Sequence, residues 1–378
     1  GIFASTSNLV FMAQCLRLGG SVAHPLIGRY AFGVNMSNPA IYKVKPTAYL
    51  DHNILDLFVK QGMNDFAVIL RDSFQVLYSD ETLKEIKRSG SYAEKFLNVL
   101  SSLNAFHLKI VLSQNYEPTE DTTISQRDVF EAFREYCEQE PVYQHLQDTM
   151  IQSSFKSFGG RKGDSFEDIA KEQIKAFSDL MSFMREQTQH LEQINPDLVH
   201  AMKNYTVAAQ AQMEKTLKDS TLLMKQNVGD ERDWSGVKDF RNHVEIGPKQ
   251  LNNITAPNVL EKVWDLFKDK DPYDKLSWTL EDFFSIKQNL LYPDRPYFNY
   301  QKVTAIYNHL NFIGFHPDSN THKERRFIAA MSDLGHASLA SFADNLFSID
   351  EDFVIKTRAA YEYLGVRTGV HQVRVENA

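Results

Sequence analysis

Between residues 331 and 353 the stretch MSDLGHASLASFADNLFSIDEDF sets five carboxylates, Asp333, Asp344, Asp350, Glu351 and Asp352, among small and apolar residues. Charge in a segment that reads as core is costly unless each carboxylate is paired or shares a cation. Two further acids stand at comparable places. Asp51 ends the β-prone run of TAYLDHNILDLFVKQG, and Glu85 lies about one turn into the helix that follows a strand at 74–78. Ligand sites of open parallel sheets lie at the carboxyl ends of strands, so Asp51, Glu85, Asp333 and Asp350 are expected at one site. Repulsion among four acids calls for a hard divalent ion, and an all-oxygen set suits Mg²⁺ or Mn²⁺.

The expected elements support this placement. If Asp333 opens a helix running to Asp344, eleven residues carry the chain about 16 Å away. The strand-like Asn345–Asp350 returns by about the same distance. Asp333 and Asp350 then share one edge of the sheet, and Asp344 lies at the other, where a carboxylate at a helix C-terminus gains nothing from the dipole. Near Asp51 a helix buries Ile54, Leu55 and Phe58 and stops at Gly62; after Ser79 and Asp80 another buries Leu83 and Ile86 and stops at Gly90. A helix at 92–103, a strand at 106–113, a helix over 353–364 capped by Gly365, and a last strand in VRTGVHQVRV complete an α/β pattern at the two ends of the chain. Residues 125–320 read as almost entirely helical, with helices near 127–150, 165–194, 197–226, 258–268, 278–290 and 299–313 and turns at Pro257–Asn258, Asp271–Tyr273 and Pro293–Pro296.

AYLDHNIL resembles the first motif of the PIN-domain nucleases, a strand ending in Asp followed by a polar residue and Asn. YSDETLKEI is similar to the second, with Thr-Leu before the acid. DLGHASLASFADNLFSIDEDF resembles the third and fourth together, and KTRAAYEYLGVRTG the closing helix and strand. The likeness covers about 46–115 and 325–376. It implies a doubly wound parallel-sheet PIN-like sandwich, in parts 36–124 and 321–378, interrupted by an all-helical insertion at 125–320. It also implies a metal-dependent endoribonuclease using Mg²⁺ or Mn²⁺ on Asp51, Glu85, Asp333 and Asp350, leaving 5′-phosphate and 3′-hydroxyl ends. The long interval between Glu85 and Asp333 departs from a minimal PIN domain and makes the insertion a candidate gate. Two other readings stand beside it: a non-cleaving PIN-like module that binds nucleic acid or protein, and a nuclease for single-stranded or structured DNA.

Each site residue also has an ordinary structural role open to it. Asp51 can cap the helix expected from Asn53, and Glu85 can pair with Arg88. His336, one turn after Asp333, can touch a phosphate or serve as a hydrogen-bonded core histidine. Asn53 and Ser348 can orient the carboxylates, or be a cap and a strand end. Glu351 and Asp352 suit the first turn of a helix. Basic clusters open to a nucleic-acid backbone are Lys43 with Lys45, Lys84 with Lys87 and Arg88, Arg161 with Lys162, and Lys323 with Arg325 and Arg326. The second and fourth flank the acids. FGGRKGDS, 158–165, lacks the ending of a phosphate-binding P-loop and reads as a flexible loop. Phe177, Met181 and Met184 lie on an apolar helix face suited to core packing or to a protein partner or oligomer.

Composition sets outer bounds. A 43% apolar content suffices for a real core, and a net charge of −8 argues against a general nucleic-acid coat without excluding local basic patches. Cys15 and Cys137 suggest neither a disulfide framework nor a thiolate metal site, so a reducing, cytoplasmic setting is expected. No run of about 18 apolar residues is present, so no bilayer span is expected. The first 50 residues hold none of the 49 acids, and 1–35 show no clear period, so this stretch is expected to lie outside the fold. A chain begun at Met36 should keep its solubility and melting temperature. Loss of folding on that truncation, read by circular dichroism, refutes the expectation.

Overall fold

The structure, a computed structural model, describes residues 45–112, 118–138, 141–189, 191–289 and 295–375. Residues 1–35, Met36, Lys43 and Pro293 lie outside them. Six strands, β1 Thr47–Leu50, β2 Gln75–Ser79, β3 Phe106–Leu112, β4 Pro118–Gln126, β5 Asn345–Ser348 and β6 Gly369–Gln372, form one sheet in the order β4-β3-β2-β1-β5-β6. All neighbours are parallel except β3 and β4. The first half of the chain builds outward from β1 in one direction and the last part in the other, so the order reverses beside β1, where such sheets open a crevice.

The helices before the long central stretch are α1 His52–Gln61, α2 Asp65–Ser73, α3 Asp80–Arg88, α4 Ala93–Ser102 and α5 Val129–Cys137. Then follow α6 Pro141–Met150, α7 Gln152–Ser157, α8 Phe166–Gln189, α9 Pro196–Asn227, α10 Gly236–Val244, α11 Pro248–Leu251, α12 Val259–Phe267 and α13 Leu280–Phe283. The last three are α14 Asn299–Ile313, α15 Glu324–Ala340 and α16 Glu351–Leu364. No described helix is long and apolar enough to cross a membrane.

Alternation along the strands divides the core. Leu50, Val76 and Tyr78 turn to one face, where Ile54, Leu55, Phe58, Leu83, Ile86 and Leu100 cover them. Tyr49, Leu77, Leu108 and Leu346 turn to the other, as a side-chain period of two requires. There they join Phe240, Leu260, Phe267, Phe283, Leu310, Phe327 and Phe353 in one continuous cluster. Much of the segment read as an insertion is therefore a layer of the α/β fold itself. Only α8 and α9, with α6, build apolar clusters of their own, around Met181 and Met184 and around Trp234 and Leu217. Met181 and Met184 serve as core, with Phe177 packed against them.

Several expectations needed correction. β4, PTEDTTISQ, has no apolar alternation; its strand state comes from pairing with β3, Phe106 opposite Gln126, at an edge half open to solvent. α2 and α10 were also missed, although Phe240 and Val244 of α10 are buried one turn apart and Ser235 accepts a hydrogen bond from the Lys238 amide. α15 begins nine residues before Asp333, because Phe327, Ala330 and Met331 already continue its buried stripe. The 158–165 loop is pinned. The wholly buried Lys156 donates to the Asp164 carbonyl at 2.8 Å, and Arg161 is paired with both Asp164 and Glu172.

Gly160 is the tightest point of this loop: a Cβ there would lie 2.3 Å from the Phe155 ring, which packs on Phe327. Gly160→Ala should lower stability by about 1–3 kcal/mol, as overpacking does. Gly229→Ala, with open space around it, is the control. Equal denaturation midpoints for the two variants would show that the loop yields.

Candidate functional site

Asp51 follows the last residue of β1, its amide bonded to the Phe347 carbonyl of β5 at 3.0 Å. It holds the N-cap position of α1, yet its side chain makes no cap bond. Instead Oδ2 accepts from Asn53 Nδ2 and Ser348 Oγ, both at 2.6 Å. Asn53 Oδ1 accepts from the Ile349 amide at 3.1 Å, and the Asp350 amide donates to Ser348 Oγ at 3.0 Å. Asn53 and Ser348 thus tie the carboxyl ends of β1 and β5 together and fix one oxygen of Asp51. Burial pushes the pKa of Asp51 up to about 6 against the opposing effects of His336 and Ser348. Asp350, exposed at the end of β5, caps α16 by accepting from the Phe353 amide at 2.9 Å.

Asp333 projects from the middle of α15 and is half-buried. No described residue donates a hydrogen bond to it. Burial first, then Asp318, Asp51 and Glu85, hold its pKa well above the ordinary range, against the pull of Lys356. Asp344 sits at the opposite end of the strands, accepting from the amide and hydroxyl of Thr47 at 2.8 and 2.9 Å. The helix-out, strand-back geometry places it there.

Glu85 differs from the expectation of four equivalent acids. Its Oε1 accepts from Arg88 at 2.9 Å and its Oε2 lies 2.9 Å from His336 Nε2. His336 is wholly buried, and its Nδ1 is 2.8 Å from the Tyr49 hydroxyl, itself 2.7 Å from Ser79 Oγ. Burial opposes charge on His336, but Tyr49, Glu85 and Asp51 outweigh it and raise its pKa well above the ordinary value. Burial likewise resists ionisation of Glu85, and His336, His52 and Arg88 overcome it. The two therefore form an imidazolium–carboxylate pair beneath Asp51. Of the two roles open to His336, the buried hydrogen-bonded one is the one it occupies.

Three charged or polar residues of this region were not singled out from sequence. Lys356 of α16 is wholly buried, with Nζ 2.7 Å from both Asn311 Oδ1 and Asp318 Oδ1. Asn311 Nδ2 donates to Asp318 Oδ2 at 2.6 Å. A lysine among Phe353, Val354, Ala359 and Ala360 was the available signal; nothing local marked Asn311 or Asp318.

The basic clusters separate in the same way. Arg88 turns inward to Glu85 and to Ser332 at 2.7 Å, Lys84 lies 3.6 Å from Glu81, and Lys87 donates to Gln144. Lys323, Arg325 and Arg326 are exposed at the start of α15 and pair with no described acid. Lys45 donates to the Arg71 carbonyl, and Arg161 is consumed by its ion pairs.

The donor chemistry fits a hard cation. Asp333 accepts from no described residue, one oxygen of Asp350 is without a donor, and on Asp51 the side-chain donors are confined to Oδ2, with the His52 amide also bearing on the carboxylate; Mg²⁺ commonly takes only one or two carboxylates beside waters and phosphate. Among the described residues, no group of three His, Cys, Asp or Glu side chains is gathered closely enough to hold an ion unaided.

For Asp51 and Asp333 the folded pKa lies above the unfolded value, so the fold binds more protons and their ionisation destabilises it. As pH falls from 7.5 to about 5 in EDTA, protonation of Asp51, Asp333 and His336 favours the fold, whereas His52, His309 and His371, whose folded pKa values are lowered by burial, oppose it. The test is therefore the difference between chains: the parent should gain stability relative to Asp333→Asn as pH falls, and at pH 7.5 the stability of Asp333→Asn should equal or exceed that of the parent. A marked loss of stability at pH 7.5 would mean that Asp333 is a needed structural acceptor.

No protein-family model matches the chain, and neither a curated protein nor a solved structure matches it significantly.

Proposed function

We propose that the chain is a PIN-like, metal-dependent endoribonuclease. The observation that carries the reading is the use of Asp51: a carboxylate in a cap position that does not cap, held by Asn53 and Ser348 at the carboxyl end of β1, where the strand order reverses, beside the donor-free Asp333. The order of the five parallel strands and the motifs on their ends agree with a PIN-like sandwich. Asp51, Asp333 and Asp350 would hold Mg²⁺ or Mn²⁺, with Glu85 behind them. Bound there, the ion would polarise a phosphoryl oxygen and acidify a water. Asn53 and Ser348 keep Asp51 in one orientation, and His336 keeps Glu85 ionised without drawing on that ion. Lys323, Arg325 and Arg326, on the first turn of the helix that carries Asp333, offer unpaired positive charge to an RNA or single-stranded DNA backbone.

A second reading has one observation in its favour. Glu85 is already matched by His336 and Arg88, which suits a PIN-like module that binds without cutting.

Labelled RNA and DNA incubated with Mg²⁺ or Mn²⁺ decide between these readings. The nuclease predicts EDTA-sensitive cleavage, RNA before DNA, with 5′-phosphate and 3′-hydroxyl ends. Asp51→Asn and Asp333→Asn should lower kcat by at least about a hundredfold, as loss of groups that hold a catalytic ion does, while Asp344→Asn leaves it unchanged. Cyclic phosphate products or cutting in EDTA would exclude the mechanism. Binding without cleavage by the parent chain would favour the module.

A further inference from the structure

The ring next to Asp51 is held by stacking and not by hydrogen bonds. His52 lies face to face on Phe96, with ring centroids 4.6 Å apart and planes 26° from parallel. Its Nδ1 is buried and has no hydrogen-bond partner, with Glu85 Oε2 3.5 Å away. His336 is the contrast, both of its nitrogens being satisfied at 2.8 and 2.9 Å. An unmet buried nitrogen is costly, so His52 stands at this place for its ring. Its side chain keeps 23% of its surface in solvent, beside Asp51. Phe96 leads outward from there. It is 5% exposed near the start of α4, and Tyr92 precedes it by four residues, at the N-cap of that helix. Positions four apart lie on one side of a helix, about 6 Å apart along its axis. Tyr92 is 55% exposed, and the ammonium of Lys95, an exposed residue as well, lies 4.9 Å from its ring centroid. The lysine covers one face, so the open area of the ring lies on the other face and the rim.

From Asp51 outward the chain thus sets two accessible rings, His52 and Tyr92, on either side of the buried Phe96, with a cation at the outer end. Accessible rings beside positive charge suit an unpaired nucleotide, whose base stacks on the ring while the cation meets its phosphate. Bases within a duplex already stack on their neighbours and have no face to offer. We propose that His52 and Tyr92 form a stacking subsite for unpaired bases, running from the acid site along the start of α4. The subsite rests on the reading of the chain as an RNA nuclease. His52 takes the base nearest the phosphate held at the acids, Tyr92 takes a base farther out, and Lys95 meets the backbone beside it. Every base has a π-face, so the subsite selects unpaired nucleotides without selecting a sequence.

Binding of a short fluorescent oligoribonucleotide, followed by anisotropy at low salt in EDTA, tests the subsite apart from the chemistry. Tyr92→Ala and His52→Ala should each raise Kd about tenfold, as loss of one stacked base does. Tyr92→Phe and His52→Phe keep a ring and should bind about as tightly as the parent. Tyr205→Ala, at a similarly exposed tyrosine of α9, should change nothing. On an abasic oligomer of the same length, the alanine variants and the parent should bind alike. If Tyr92→Ala and His52→Ala hold the oligoribonucleotide as tightly as the parent, or if they lose as much on the abasic oligomer, the subsite falls and the nuclease reading is untouched. If the parent binds with the expected dependence on both rings but cuts nothing with Mg²⁺ or Mn²⁺, the nuclease reading falls and the subsite stands. A parent that does not bind the oligoribonucleotide removes the subsite, whatever it cleaves.

Discussion

A carboxylate withdrawn from water must be met by donors or by positive charge, and the arrangement around the carboxyl ends of β1 and β5 follows from how this is done for four acids and not for a fifth. Glu85 is met by His336 and Arg88, Asp318 by Lys356 and Asn311, and Asp51 by Asn53 and Ser348. Asp350 is met in part by the Phe353 amide. For Asp333 the chain provides no donor, only the distant attraction of Lys356. The fold supplies partners for the other acids and leaves one carboxylate, with one oxygen of Asp350, unmatched. That asymmetry, and not the number of acids, singles out the site.

The same pairs bind the layers together. Lys356 joins α16 to the turn after α14, His336 joins α15 to α3 and β1, and Ser348 joins β5 to β1. The last two bridges connect segments on either side of the long central stretch of the chain, and the first ties its end to α16. None of these groups could be left alone in a core this apolar, where Leu346, Phe353, Leu310 and Tyr307 are almost wholly buried. Breaking one partner would strand its mate. The helices α10 to α14 are therefore tied to the acids: they close the face of the sheet on which Tyr49 and His336 meet, and α14 supplies Asn311.

What the sequence determined by itself was local. β1, β2 and β5, the caps at Ser79, Gly62 and Gly365, and the buried Ile54, Leu55, Phe58, Leu83 and Ile86 all follow from period and capping residues within a few positions. The far placement of Asp344 followed too, because the rise per residue of helix and strand is fixed by the backbone. Tertiary structure alone decided the rest. β4 is a strand because β3 offers it a hydrogen-bonding edge, and α15 extends past its expected start because its apolar stripe finds the core. Glu85 differs from Asp333 because His336 and Arg88 reach one and not the other. Nothing local in the sequence groups Tyr307, Asn311, Asp318 and Lys356. Their partners lie too far along the chain for any local pattern to link them, and only the packing of α14, α15 and α16 over the end of β1 makes them one environment.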